Sequence, residues 1–246
     1  MRLDGKTAIV TGGASGFGRG IAASFAAQGA QVLVADLNAD GAREVAGAIG
    51  GLHARTDVGA DGDWAALATR AMDAWGRIDV LVNNAGITHR PMPMEEVPEE
   101  EFDRVLRVNA KSVYLSARHV VPLMKRAGSG AILNVASTAG ISPRPRLNWY
   151  NASKGWMITT TKAMAVELAP AGVRVNAIAP VAGETPLLAS FMGEDTPEAR
   201  ARFLATIPLG RFSTPEDMGN AAAFLCSDAA SMITGAVLEV DGGRCI

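Results

Sequence analysis

Tyr150 and Lys154 stand four residues apart in the stretch WYNASKGWM, and Ser137 lies thirteen residues ahead of the tyrosine. Four residues is about one helical turn, so a phenol and an ammonium project from the same helix face. A phenol is a weak acid with an ordinary pKa of about 10. A cation held beside it favours the phenolate and brings it toward working range. A serine hydroxyl within reach holds a substrate oxygen. The set is equipped to move a proton on or off an alcohol. Taken alone, Tyr-x-x-x-Lys is more often a plain pair on a helix surface, so the elements around it decide.

The first of those elements is a nucleotide site. Thr7–Thr11 is a short apolar run, long enough for one buried strand. Gly12, Gly16 and Gly18 follow, and a helical pattern through Ile21, Ala22 and Phe25 closes at Gly29. Glycines let a backbone approach a pyrophosphate, and the helix end offers free N–H groups and a positive dipole. The spacing is GxxxGxG rather than the GxGxxG of the common dinucleotide fingerprint. A second strand, Gln31–Ala35, ends at Asp36, placed to hydrogen-bond the adenosine ribose diol. The plainer reading of Asp36 is a cap for the helical stretch Asn38–Ile49. A carboxylate there repels a 2′-phosphate. Ser15 occupies the glycine turn, and no Arg or Lys stands in that turn or directly after Asp36. The expected coenzyme is therefore NAD, not NADP.

Strand and helix patterns continue to alternate. Leu52–Thr56, Val80–Val82, Ala131–Val135, Val173–Ile178 and Val237–Val240 read as strands. Asp61–Trp75, Glu99–Lys125, Trp149–Ala169 and Pro215–Cys226 read as helices. This order predicts one α/β domain over residues 1–246. It is a single doubly wound parallel sheet of Rossmann type, about seven strands, with helices on both faces. Groups that do chemistry in such sheets lie beyond the carboxyl ends of the strands. Thr11, Asp36, Asp57, Asn83 and Ser137 all fall there. The stretch from Pro180 to Ile207 breaks the rhythm, with short helices expected through Leu187–Met192 and Pro197–Thr206. Residues 183–207 are read as a substrate lid, the alternative being an insertion packed on the body.

Composition narrows the classes. The 246-residue chain is 48% apolar and 20% charged with a net charge of −2, which suggests neither a nucleic-acid nor a membrane partner. No apolar stretch approaches a membrane span, and the start of the chain lacks a signal-peptide layout. Two cysteines make no disulfide framework, and His53, His89 and His119 have no metal-ligand spacing. A cytoplasmic, metal-free protein is expected.

Taken together, these residues resemble the short-chain dehydrogenase/reductase family along essentially the whole chain. The motifs are Thr11-Gly12-x-x-x-Gly16-x-Gly18, Asp57-Val58, Asn83-Asn84-Ala85-Gly86, Asn109 in RVNA, Ser137, Tyr150-x-x-x-Lys154 and the terminal DGG. The resemblance implies Tyr150 as acid/base, and Lys154 as both its activator and a ligand of the nicotinamide ribose. It implies that Ser137 orients the substrate oxygen and that Asn109 holds a water in the proton relay. It places Asp57 and Val58 beside the adenine, and gives Asn83 the support of the first strand's end and the coenzyme. The implied coenzyme set is Gly12, Ser15, Gly16, Phe17, Gly18, Asp36, Leu37, Asp57, Val58, Asn84, Ala85, Gly86, Pro180 and Thr185, together with Tyr150 and Lys154. One departure is Val181 where the family has a glycine after Pro180, which leaves the path to Thr185 open. The family also implies a homotetramer, to which the apolar Val113, Leu115, Met157 and Ile158 on two helices add support.

The activity expected is NAD-dependent interconversion of a small-molecule secondary alcohol and a ketone. The alternatives are a 3-oxoacyl-thioester reductase of the same fold and, remotely, a non-catalytic NAD-sensing regulator. His89 and Arg90, then Arg144, Arg146 and Trp149, and Glu184 at the lid are the substrate-facing candidates. Arginine forks suit an anion. The plainer outcome is that they face solvent or pair with Glu184, Glu95 or Glu96, and Leu187, Leu188, Phe191 and Met192 equally suit an apolar pocket.

Overall fold

Seven runs of branched and small apolar residues find the same solution, a parallel sheet buried on both faces. The computed structural model describes residues 2–193 and 195–246. The strands are β1 (Thr7–Thr11), β2 (Gln31–Asp36), β3 (Leu52–Arg55), β4 (Val80–Asn83), β5 (Gly130–Val135), β6 (Val173–Pro180) and β7 (Val237–Val240). Their order is β3-β2-β1-β4-β5-β6-β7, and every pair is parallel. Successive residues of a strand serve opposite faces. Ala8 and Val10 meet Ile21 and Phe25 of α1 (Gly16–Ala27), Val45 of α2 (Ala39–Ile49) and Met218 and Leu225 of α9 (Pro215–Cys226). Ile9 points the other way, into a core with Trp64 and Leu67 of α3 (Asp61–Trp75), Leu115 and Met124 of α5 (Ser112–Ala127) and Leu168 of α6 (Asn148–Leu168). Parallel strands covered on both faces read as unbroken apolar runs, which is why their positions were legible.

The chain reverses direction across the sheet between β1 and β4, so a crevice opens beyond the carboxyl ends of those strands. Every candidate catalytic group must come to this edge.

Two elements differ from the sequence reading. The expected helix over Glu99–Lys125 is α4 (Glu99–Leu106), a π-turn at Arg107–Lys111 and α5. Asn109 lies in the π-turn, and such widened turns cluster at functional sites. Apolar periodicity does not register one extra residue in a turn. The second difference concerns Val113, Leu115 and Met157, which are at most 2% exposed and packed in the chain's own cores, with Ile158 beside them. They give no support to an oligomer.

The segment after β6 carries α7 (Leu188–Met192) and α8 (Pro197–Leu204), near the expected bounds; residue 194, within the expected lid, lies outside the described residues. Val181, Leu188, Ile207 and Phe212 form a small apolar cluster of their own, separate from the sheet cores.

Helices α1 and α9 touch backbone to backbone. A Cβ on Gly20 would stand 2.3 Å from the Pro215 carbonyl oxygen, whereas one on Gly47 of α2 meets nothing within 4 Å. Gly20→Ala is expected to cost about 1–3 kcal/mol by overpacking, a melting temperature roughly 2–10 °C lower for a chain of this size. Gly47→Ala is expected to raise it by roughly 1–4 °C, because helix entropy alone is at stake. Thermal denaturation followed by circular dichroism checks both, and equal effects would refute the close-approach argument.

Candidate active site

Thr11 ends β1 with its hydroxyl saturated. Its Oγ1 donates to the Val82 carbonyl at 3.0 Å and accepts the Asn84 and Ala85 amides at 3.0 and 3.2 Å. The Asn84 side-chain amide in turn donates to the Thr11 and Gly12 carbonyls at 2.8 and 3.1 Å. Asn84, not Asn83, therefore supports the first strand's end. Asn83 points across the sheet and donates to Asn134 Oδ1 at 2.9 Å. Asn84 lies just past the end of β4, level with the end of β1, and its side chain reaches the Thr11 and Gly12 carbonyls from the loop.

Gly12 and Gly16 hold φ of +63° and +51°, which side chains rarely adopt. A Cβ on Gly18 would lie 2.1 Å from the Gly12 carbonyl oxygen, so that glycine lets α1 begin directly on the turn. This is a cradle of bare backbone at a helix N-terminus, and it fits a pyrophosphate. Asp36 accepts the Ala14 and Asn38 amides at 3.0 and 2.9 Å, one on each oxygen. A carboxylate keeps lone pairs beyond these two bonds, so a ribose diol still fits it. The cap of α2 is Asn38, whose side chain accepts from Gly41. Leu37 follows, 59% exposed on the cleft rim, a flat apolar surface without a protein neighbour to cover it.

The cleft has a volume of about 450 Å³, within the range of small-molecule sites. It is lined by Gly12, Ser15, Gly16, Phe17, Asp36, Leu37, Asp57, Val58, Asn84, Ala85, Gly86, Pro180 and Thr185, together with Ser137, Tyr150 and Lys154. Gly18 lies beneath it, and Asp57 is also bonded to Arg107 at 2.6 Å. Thr185 does return to the glycine turn: a Cβ on Gly16 would touch its side chain at 3.2 Å.

Tyr150 enters from the first turn of α6, and Ser137 stands just past the end of β5. The turn at Thr138–Gly140 is pressed against α6, where a Cβ on Gly140 would lie 2.8 Å from the Gly155 nitrogen. That contact brings serine and phenol together. Ser137 Oγ accepts the Ala139 amide at 3.1 Å and keeps its own hydrogen to donate. Lys154 donates to the Val135 carbonyl at 2.8 Å, with its Nζ 5.9 Å from the Tyr150 ring centre. Burial pushes the phenol up to about 12, with the Ser137 hydroxyl opposing, and brings the ammonium down to about 8. On the phenol, desolvation thus outweighs the Ser137 hydrogen bond.

Asn109 is fully buried and spent on the framework. Its amide donates to the Ile87 carbonyl and to Ser153 Oγ, both at 2.9 Å, and its oxygen accepts the Ile87 amide at 2.9 Å. Both amide hydrogens are used, so the side chain is a brace between the β4 loop and α6.

Of the substrate-facing candidates, Arg144 lines the cleft, and five do not. His89 is buried in the body with Nδ1 2.8 Å from the Arg90 carbonyl, and Arg90 is exposed. Arg146 is exposed at φ +65°, its carbonyl accepting the Met92 amide. Trp149 donates to the Met94 carbonyl at 3.2 Å and meets Phe102 edge-on, which ties it to α4. Glu184 is exposed, and its charge acts on Arg200. Loop proximity in sequence did not reveal which way each side chain turns. The segment after β6 supplies Leu187, Phe191 and Phe203 to the cleft, and Phe191 meets Tyr150 edge-on at 5.1 Å. Phe203 and the brace residues Ser153 and Ile87 were missed; only the third dimension places them here.

The family model described as "Enoyl-(Acyl carrier protein) reductase" matches residues 12–244. The chain is 53% identical to the 4-formylbenzenesulfonate dehydrogenase of Comamonas testosteroni over 99% of both chains. It is 41% identical to the cis-4-hydroxycyclohexanecarboxylate dehydrogenase of Sinomonas cyclohexanicum, covering 97% of this chain and 96% of that one. Among solved structures it superposes with a TM-score of 0.95 on a 3-ketoacyl-(acyl-carrier-protein) reductase of Brucella melitensis complexed with NADH. That chain is 50% identical, with 99% of this chain and 100% of the other covered.

Below pH 8 the folded protein holds a charged lysine in a dry site, and the cost is fully present. Between about 8 and 10.5 the folded state releases this proton while the unfolded chain keeps it, so stability rises with pH. Lys154→Met is therefore expected to stabilise the coenzyme-free protein at pH 7 by about 1–2 kcal/mol, after the lost Val135 bond is subtracted, and to lose the advantage above pH 10. Denaturant unfolding at both pH values checks this; a destabilised variant at pH 7 would contradict the buried-cation account.

Proposed function

The chain belongs to the short-chain dehydrogenase/reductase family, and from that premise we propose that it is an NAD-dependent dehydrogenase of small cyclic alcohols, working between alcohol and carbonyl. The observation that carries the reading is that the Tyr150 phenol, the Ser137 hydroxyl and the Lys154 ammonium meet on the cleft that also holds the glycine turn and Asp36. The nicotinamide, when bound, supplies hydride acceptance and donation. Gly12, Gly16 and Asp36 hold its dinucleotide, and Thr185 and Lys154 flank the reactive end. Ser137 donates to the substrate oxygen and fixes the reacting carbon. Tyr150 takes the alcohol proton at its hydroxyl in oxidation and returns it in reduction. Lys154, near neutrality in its proton balance, passes the proton onward. The Asn109 side chain is engaged with Ile87 and Ser153, so a water completing that path has to be held by other groups. Phe191 and Phe203 shield the reacting atoms from solvent, so residues 183–207 act as a lid.

The ring preference draws on the two curated relatives. One is named for a formylbenzenesulfonate and the other for a hydroxycyclohexanecarboxylate, which share a six-membered ring, an oxygenated carbon and an acidic group. The coenzyme preference rests on Asp36. Like charges about 4 Å apart cost about 1 kcal/mol in water and about 4 at the effective dielectric of a protein surface. NAD is thus expected to exceed NADP in kcat/KM by about tenfold or more, and equal use of the two would refute the role of Asp36. A coenzyme-reduction assay over a panel of cyclic alcohols tests the activity. Tyr150→Phe is expected to lose turnover while keeping NADH binding, and oxidation by the parent enzyme to rise with pH as proton acceptance becomes easier. A variant with a tenth of the parent rate would remove Tyr150 from the mechanism.

The assembly is proposed to be a homotetramer, in the cytoplasm, where the free thiols of Cys226 and Cys245 remain reduced. Tyr114, Trp156 and Val166 lie 55%, 41% and 79% exposed on α5 and α6, apolar area open to a second copy. Light scattering at micromolar concentration is expected to give the mass of four chains; a monomer mass would refute it.

A further inference from the structure

Arg144 is the cation that faces the substrate half of the cleft. It lies in the loop before α6, held by its own carbonyl accepting the Asn151 amide at 2.7 Å, six residues from Tyr150. Its guanidinium is stacked 3.6 Å from the centre of the Phe203 ring on α8. Stacking occupies the face of the guanidinium and leaves the N–H donors around its edge free. Among the described residues none of those donors has a hydrogen-bond or ion-pair partner.

A second arginine approaches from the end of the chain. The Asp241 carboxylate accepts the Gly243 and Cys245 amides, both at 2.8 Å, and so fixes a tight turn that carries Arg244. The turn is docked on the far end of the lid, where Leu209 donates to the Gly242 carbonyl at 3.1 Å. Arg244 Nε is buried and has no hydrogen-bond partner among the described residues. A buried donor left unpaired is costly, and such a group in a folded protein calls for an explanation. The two guanidinium groups also act on each other. Burial, and then the Arg244 charge, bring Arg144 down to about 10, so Arg144 remains cationic near neutrality. Arg144 stacks on Phe203, and the turn carrying Arg244 packs on Ile207 and Pro208, so both arginines border the same short stretch of chain.

We propose that Arg144 and Arg244 form a two-guanidinium subsite for an oxyanion carried by the substrate, a ring carboxylate or sulfonate, on the lid side of the cleft from Tyr150. An oxyanion there satisfies the buried Nε, takes the free edge donors of Arg144 and removes the repulsion between the arginines. Phe203 and Phe191 supply the apolar walls for the ring between this subsite and the phenol. The subsite rests on the dehydrogenase reading of the same cleft, and the alternative source of an oxyanion is the phosphate of a pantetheine-borne thioester.

The test joins a binding measurement to a turnover measurement. Titration calorimetry of the NADH-saturated protein compares benzoate and benzenesulfonate with benzamide, and adds pantetheine 4′-phosphate. Initial rates compare 4-hydroxycyclohexanecarboxylate with its methyl ester. Parent enzyme is expected to bind the ring anions at least about tenfold tighter than the amide and to favour the acid over the ester by a similar ratio. Arg144→Met and Arg244→Gln are each expected to reduce both ratios by about tenfold, through KM rather than kcat, and Arg144→Lys to restore part of the preference. Arg244→Gln lies in the tail, so it remains informative where Arg144→Met disturbs the lid. Ratios unchanged in Arg244→Gln and Arg144→Lys, or no preference in the parent enzyme, would overturn the subsite. Tighter binding of pantetheine 4′-phosphate than of both ring anions would overturn the commitment to a small ring anion. Binding selectivity without turnover of any cyclic alcohol would sink the dehydrogenase reading and leave the subsite standing, and turnover without selectivity would do the reverse.

Discussion

The five hydrogen bonds joining the end of β1 to the loop after β4 set the geometry on which both halves of the cleft depend. They saturate one threonine hydroxyl and commit one asparagine side chain to two carbonyls. Together they lock the glycine turn to the point where the sheet reverses direction. The coenzyme cradle and the loop beneath the reacting groups are thereby parts of one rigid object. Gly12 sits at the centre of it, with no room for a side chain: a Cβ there would lie 2.8 Å from the Asn84 amide nitrogen. A buried network in which each member is satisfied rigidifies its surroundings more than its pairwise bonds suggest.

Against that frame the acid–base groups are held in an environment that suits them poorly. Tyr150 and Lys154 are each 4% exposed, and burial pushes the phenol up and the ammonium down. A phenol that resists ionising is a poor base until charge is supplied nearby, and a lysine that gives up its proton near pH 8 is a ready relay. Burying the Lys154 ammonium costs stability at neutral pH. The supports are proportionate to the strain. Asn109, Ser153 and Ile87 brace α6 to the β4 loop, while the turn at Gly140 sits on the α6 backbone with no side chain between.

The segment after β6 is built differently. Its apolar residues divide between a small cluster of their own and the cleft, with Leu188 and Ile207 in the former and Phe191 and Phe203 in the latter. An element with its own minor core is attached to the body through few buried contacts, and such elements open at low free-energy cost. Stacking of Arg144 on Phe203, the edge-on contact of Phe191 with Tyr150 and the approach of Thr185 to Gly16 tie it to the cleft.

How much of this was legible in the chain depends on the range of the interaction involved. The sheet, its strands within a residue or two, and the convergence of Thr11, Asp36, Asp57 and Ser137 at strand ends follow from apolar period and chain direction, which are local. The Tyr150–Lys154 pair was equally legible, since helical spacing alone sets it. Side-chain direction in loops was not. His89, Arg146, Trp149 and Glu184 share the composition of substrate-binding residues, yet His89 is buried against the carbonyl of its neighbour Arg90, Trp149 is tied to Met94, and Arg146 and Glu184 are exposed. The π-turn at Asn109 escaped because one inserted residue leaves the apolar pattern intact, and Asn84 took the role expected of Asn83 because Asn83 is engaged by Asn134 while Asn84, past the strand's end, reaches β1. Arg144 and Arg244 lie one hundred residues apart in sequence, and no pattern along the chain links them. The sequence by itself determined the fold and the acid–base pair, because backbone period and hydrophobic burial act between near neighbours. Tertiary structure alone decided which charges meet in the cleft, because that depends on packing between elements remote in the chain.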